Sequence, residues 1–155
     1  MSDAAGGTRQ AADLRMALVV SRFNETVTAG LLRGARECLV SLGCAEDRLS
    51  VTRVPGAWEI PQAVARILAR GGVDGVITLG ALIRGETPHF DVLANAVAGA
   101  LADLSVRADV PVIFGVLTTD DVQQALDRAG ARAGNKGWEA ARAAVDMIEV
   151  YRMLK

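Results

Sequence analysis

The sequence predicts one α/β domain built on a parallel sheet with helices over both faces. Three observations lead there. Short, continuous apolar runs such as Met16–Val20, Val76–Leu79 and Val112–Leu117 have the composition of strands buried on both faces. Stretches with helical apolar spacing separate those runs. Hydrophobic residues make up 51% of the chain but aromatics only 4%, an aliphatic balance that suits α/β layers better than a β-sandwich. Four strands alternating with helices imply right-handed crossovers.

The elements follow in order. After Met16–Val20, apolar residues recur at Leu31, Ala35, Cys38, Leu39 and Leu42, one face of a helix from Val27 that stops at Gly43. Leu49–Val54 alternates as a second strand and breaks at Pro55-Gly56. Ile60, Val64, Ile67 and Leu68 mark a second helix ending at Gly71-Gly72. Gly75–Leu79 is the third strand, followed by a turn from Gly80 and a third helix from Phe90 to Val106. Val112–Leu117 is the fourth strand. Thr118-Thr119-Asp120-Asp121 then offers cap residues for a short helix near Asp121–Asp127. A turn over Gly130–Asn135 leads to a last helix from Lys136 to Met153. Residues 1–13 read as a flexible arm and 14–155 as one domain; the small, polar start has no apolar core of the kind a secretion signal needs.

Composition excludes several classes. Lys+Arg 17 against Asp+Glu 18 gives a net charge of −1, and the only lysines are Lys136 and Lys155. Such a balance carries no general attraction for nucleic acid or an anionic membrane, and no apolar run reaches the length of a membrane span. Cys38 and Cys44 lack metal-site spacing and read as reduced thiols of a cytoplasmic protein. With a single histidine, a transition-metal centre is not expected. Nucleotide-binding glycine loops and a GxSxG elbow are missing.

Ligands of parallel sheets bind beyond the carboxyl ends of the strands, and the unusual clusters fall there. Arg22-Phe23-Asn24 follows strand one, Pro55-Gly56-Ala57-Trp58-Glu59 follows strand two, and Gly80 to Phe90 follows strand three. Phe23 either stacks on a flat heterocycle or staples the next helix. Glu59 either accepts ligand hydroxyls or favours its own helix dipole, and Trp58 reads as packing. In the third cluster a helix start offers free N–H groups to an anion, with the Glu86 and Thr87 amides and the Thr87 hydroxyl as donors. His89 adds an acid/base group beside them. Arg84 closes the loop or touches the anion. Arg128 and Lys136 are surface charges unless a phosphate needs a cationic clamp. Phe114 is core by pattern, and joins a site only if a neighbouring subunit's cleft lies against it.

These clusters, together with Phe114–Thr119, Arg128-Ala129-Gly130 and Gly134-Asn135-Lys136-Gly137, occur in an order and spacing that resembles the 6,7-dimethyl-8-ribityllumazine synthases of riboflavin biosynthesis. The likeness runs from about Met16 through the last helix. It implies a flavodoxin-like αβα sandwich with a four-stranded parallel sheet. It also implies a cofactor-free and metal-free condensation of 5-amino-6-(D-ribitylamino)uracil with 3,4-dihydroxy-2-butanone 4-phosphate, releasing phosphate and water. Carried over by motif, Phe23 stacks on the pyrimidine. Ala57, Trp58 and Glu59 hold the ring and ribityl chain, and Leu82 and Ile83 offer backbone contacts. Glu86, Thr87 and Arg128 bind phosphate, with Lys136 supporting that side, and His89 shuttles protons. Phe114 arrives from the adjacent subunit.

The resemblance further implies a homopentamer with sites between subunits. The short Gly130–Lys136 turn resembles that of members packing twelve pentamers into a 60-subunit icosahedral shell. Asp91-Val92-Leu93-Ala94-Asn95 departs from the usual tyrosine- and cysteine-bearing helix start, and Ala131-Arg132 from the frequent threonine-lysine. Neither change removes an assigned ligand. A related riboflavin synthase would have no phosphate substrate and no use for the third cluster; a non-catalytic lumazine binder would not need His89 and Arg128.

Overall fold

A computed structural model of the chain describes residues 10–131 and 134–155. The strands are β1 (Met16–Ser21), β2 (Leu49–Val54), β3 (Gly75–Ile83) and β4 (Val112–Thr119). The helices are α1 (Glu25–Ser41), α2 (Ile60–Arg70), α3 (His89–Arg107), α4 (Val122–Arg128) and α5 (Lys136–Met153), with short 3-10 turns at Glu46–Arg48 and Ala57–Glu59. All strand pairs are parallel, in the order β2-β1-β3-β4.

Alternation within the apolar strands builds two cores. Met16, Leu18 and Val20 of β1, with Ile77, Leu79 and Ala81 of β3, pack against α1 and α5. Ala17 and Val19, with Val76 and Val116, turn the other way onto α2 and α3. Both faces of the central strands are thereby buried, which is why these segments read as unbroken apolar runs. The result is the flavodoxin-like three-layer sandwich expected from the sequence.

The chain order sends β1 to one neighbour, β2, and then back across to β3 on its other side. This reversal opens a crevice at the carboxyl ends of β1 and β3, where ligands of such sheets bind. On the α1/α5 side the layer is tight. A Cβ on Gly137 would overlap the Leu31 carbonyl, and one on Gly34 would overlap the Asn135 side chain.

The end of β3 differs from expectation. β3 does not turn at Gly80 but continues to Ile83, paired with β4 through Ile83↔Thr119. Gly80 serves as a close-approach residue inside the strand, where a Cβ would come within 3.0 Å of the Ser21 hydroxyl oxygen and Ile60 Cδ1. Only residues 84–88 remain as loop. Of the expected arm, residues 1–9 lie outside the described residues. Ala11 is fully buried, and its N–H donates to the Leu42 carbonyl at 2.9 Å. Residues 132 and 133, in the turn before α5, also lie outside the described residues.

Candidate active site

Three strand ends assemble one hollow of about 680 Å³. From the end of β1 comes Phe23, 71% exposed although it is a large aromatic. Its position is fixed by backbone: Arg22 N–H donates to the Val54 carbonyl at 2.8 Å and Phe23 N–H to the Pro55 carbonyl at 3.1 Å. Asn24 completes the anchor. It sits in the left-handed region (φ 64°), and its side-chain amide donates to the Ala81 carbonyl at 3.1 Å. A left-handed non-glycine residue costs energy unless its surroundings hold it. Here bonds to β2 and β3 do so, and Phe23 is left projecting as a rigid platform.

The second wall follows β2. Gly56 N–H donates to Glu59 Oε1 at 2.9 Å while Glu59 N–H donates to the Gly56 carbonyl at 3.1 Å. This reciprocal pair closes the turn before α2. Glu59 thus uses one carboxylate oxygen on the Gly56 N–H, a helix-start role. Trp58, read from sequence as packing, is 53% exposed at the rim, so only about half of it is packed in this chain. Exposed aromatics gathered in a concavity mark a binding surface.

The third wall comes from β3 and α3: Leu82, Ile83, Gly85, Thr87 and His89 line the hollow, joined by Phe90 and Leu93. His89 is the first residue of α3, after Pro88. The first N–H groups of this long helix therefore open beside Thr87, where an anion is stabilised. Leu93 had been read only as helix, although it lies four residues after His89 and three after Phe90, at the same end of α3.

Phe114, Arg128 and Lys136 lie elsewhere. They line a groove of about 500 Å³ between the edge strand β4 and α5, which shares no lining residue with the hollow. Phe114 is half exposed there. Lys136 pairs with Glu139 at 3.3 Å, and an Arg128 guanidinium N–H donates to the Gln124 carbonyl at 3.0 Å. Asn135 anchors this wall. It is buried, its Oδ1 accepts from the N–H groups of Gly137 and Trp138, and its Nδ2 donates to the carbonyls of Gly30 and Gly130. Sequence reasoning treated it as part of a turn; a buried asparagine with every hydrogen-bonding group satisfied is a structural pin.

The chain thus carries a strand-end hollow of aromatics with a histidine at a helix start, and a separate groove holding Arg128 and Lys136. The family described as 6,7-dimethyl-8-ribityllumazine synthase matches residues 13–152. The chain belongs to the 6,7-dimethyl-8-ribityllumazine synthase family. Relatives carrying that name include proteins of Chlorobium phaeovibrioides (strain DSM 265 / 1930), 46% identical over 93% of both chains, and Chlorobium limicola (strain DSM 245 / NBRC 103803 / 6330), 46% identical over 94% of both. A third, from Chlorobaculum tepidum (strain ATCC 49652 / DSM 12025 / NBRC 103806 / TLS), is 45% identical over 96% of both.

Within this family member, the residues singled out from sequence fall into two sets. Phe23, Ala57, Trp58, Glu59, Leu82, Ile83, Thr87 and His89 come together in the hollow, while Phe114, Arg128 and Lys136 meet in the groove. Glu86 lines neither and is exposed in the loop between them. A larger concavity, about 730 Å³, runs along α1 beside β2 and holds Arg33, Arg36 and Arg53. It includes none of the site residues predicted from sequence. Among the described residues, no three His, Cys, Asp or Glu side chains gather as a metal site. Among the described residues, no helix is long and apolar enough to cross a membrane.

Proposed function

We propose that the chain condenses 5-amino-6-(D-ribitylamino)uracil with 3,4-dihydroxy-2-butanone 4-phosphate to 6,7-dimethyl-8-ribityllumazine, releasing phosphate and water, in the penultimate step of riboflavin biosynthesis. The observation that carries this reading is the pairing of an exposed aromatic platform with a histidine-bearing helix start across one hollow. The platform suits a planar pyrimidine and the helix start a phosphate.

In this reading Phe23 stacks on the pyrimidine, and the second Glu59 carboxylate oxygen accepts ribityl hydroxyls. Leu82 and Ile83 present backbone polar groups to the ring edge, with Ala57 and Trp58 closing the other side. The butanone phosphate lies against Thr87 and the first amides of α3. The amine attacks the ketone to form an imine and lose water, a step that orientation accelerates strongly. His89 relays protons as phosphate leaves. Thr87, the helix start and a guanidinium stabilise the departing dianion. Ring closure and loss of a second water complete the lumazine. No step calls for a cofactor or metal.

The guanidinium is Arg128 of a neighbouring copy. Two features support assembly. Phe114, Arg128 and Lys136 lie in a groove apart from the hollow of their own chain, so a neighbour's groove would complete each site. In addition, α3 is apolar almost all round, yet only Val97 and Leu101 are buried, while Val92 and Val106 are exposed. Such a helix requires a covering surface. The likeness to the family supports a ring of five. Twelve such pentamers in a 60-subunit shell are the further assembly that the Gly130–Lys136 turn suggests. Cys38 and Cys44 are buried and not joined in a disulfide, which fits a cytoplasmic enzyme.

The test is to mix the purified protein with both substrates and follow lumazine absorbance and released phosphate together, with sedimentation of the same sample. Stoichiometric appearance of both is expected. Conversion of lumazine to riboflavin, or ligand binding without product, would overturn the reading.

A further inference from the structure

Arg84 is the first residue past β3 and opens the loop that carries Thr87. Its N–H donates to the Thr119 carbonyl at 2.8 Å, adding one rung to the β3–β4 ladder. Its side chain then holds three groups. Nε donates to Asp120 Oδ1 at 3.1 Å, a terminal N–H donates to Asp91 Oδ2 at 3.3 Å, and the guanidinium carbon lies 4.5 Å from the centre of the Phe90 ring. Phe90 and Asp91 belong to the first turn of α3, next to His89. Asp120 begins the turn into α4, where its N–H donates to Gln124 Oε1 at 2.8 Å. Gln124 in turn accepts Arg128 through its backbone carbonyl. One guanidinium therefore joins the start of the His89 helix to the turn that leads to Arg128.

Arg84 does not line the hollow, although Gly85, Thr87, His89 and Phe90 do. Its Nε and one terminal nitrogen are engaged by two carboxylates, Asp120 first and Asp91 second, which together hold its pKa above the ordinary arginine value. Gly85 through Pro88 are all exposed and lie outside any ladder. Arg84 reaches across this loop from its first residue to Asp91 on the α3 side and Asp120 on the β4 side.

We propose that Arg84 is a positioning residue for the condensation: by clamping Phe90, Asp91 and Asp120 it sets where Thr87 and His89 meet the phosphate-bearing substrate, without touching that substrate. The proposal rests on the lumazine synthase reading above. Exposed ion pairs add little to global stability, so loss of the clamp is read as lost geometry rather than as unfolding.

The experiment compares wild type with Arg84→Gln, Arg84→Lys, the pair Asp91→Asn/Asp120→Asn, and the combined triple variant. Arg84→Gln and the paired variant should each lower kcat/KM for the butanone phosphate about tenfold or more. The pyrimidine KM should stay within about twofold and the thermal midpoint nearly unchanged. Arg84→Lys keeps the charge but not the fork and should recover only part of the loss. The triple variant should be no worse than Arg84→Gln, since members of one network are not additive. Two results would overturn the proposal: full activity in Arg84→Gln, or tighter use of the butanone phosphate in the paired variant. The second is what a freed, phosphate-binding guanidinium would give. A wild-type chain that makes no lumazine would remove the activity reading instead. Amide exchange over residues 85–90 then decides the clamp, faster in Arg84→Gln supporting it and unchanged exchange refuting it.

Discussion

The hollow at the strand ends and the groove beside β4 are built by opposite means. The hollow projects aromatic groups, Phe23 and Trp58, from turns locked by backbone hydrogen bonds to neighbouring strands. Its side chains are exposed because the backbone beneath them holds their positions. The groove is cationic, and its position depends on one buried side chain, Asn135, which joins α5 to α1 and to the turn after α4. The first surface suits a flat ring; the second suits an anion. Each contains half of what a condensation of a pyrimidine with a phosphate ester requires. In the assembly proposed above, neighbouring chains would bring the two halves together.

The contrast can be broken at its supports. Asn135→Ala removes a helix cap and leaves the Gly30 carbonyl without its buried donor, for a loss of about 2–4 kcal/mol of stability. Chemical denaturation measures it, and a loss below about 0.5 kcal/mol would show that the groove does not depend on this residue. Arg128→Ala should lower kcat/KM for the butanone phosphate about a hundredfold while sparing the pyrimidine. Equal losses for both substrates would contradict the phosphate assignment. Phe23→Ala should weaken the pyrimidine about tenfold with little change for the butanone phosphate, as read by titration with each substrate alone. Unchanged pyrimidine affinity would remove the stacking role. The two substitutions should therefore damage different substrates, one for each surface.

Much of this was legible in the sequence. The alternation of apolar runs with helical spacing gave the layers, since strands buried on both faces leave no polar positions to confuse the pattern. Placing clusters at strand carboxyl ends brought together Phe23, Trp58, Thr87 and His89 before any coordinates. Other features were not legible, for physical reasons. Gly80 looked like a turn because glycine usually marks one, whereas here it makes room for Ser21 and Ile60 within β3. Trp58 was read as packing, but burial of a residue after a turn depends on which elements cover it, and here about half of Trp58 stays exposed. The clamp of Arg84 on Asp91 and Asp120 joins residues 7 and 36 positions apart; only the first of these spacings lies within one local segment. The separation of Arg128 from His89 was likewise invisible, because it follows from β4 being the edge of the sheet.

The central claim is that each site takes its aromatic and histidine wall from one chain and its cationic wall from the next. Complementation tests it most directly. A chain lacking both Phe23 and His89 side chains is unfolded and refolded together with a chain carrying Arg128→Ala, and lumazine formation is compared with that of each parent refolded alone. In an equal mixture, about a quarter of the sites would combine an intact hollow with an intact groove, and activity should return to about that fraction of wild type. Activity no higher than that of the parents, in a mixture shown to contain both chains in one assembly, would place both walls on a single chain and contradict the account.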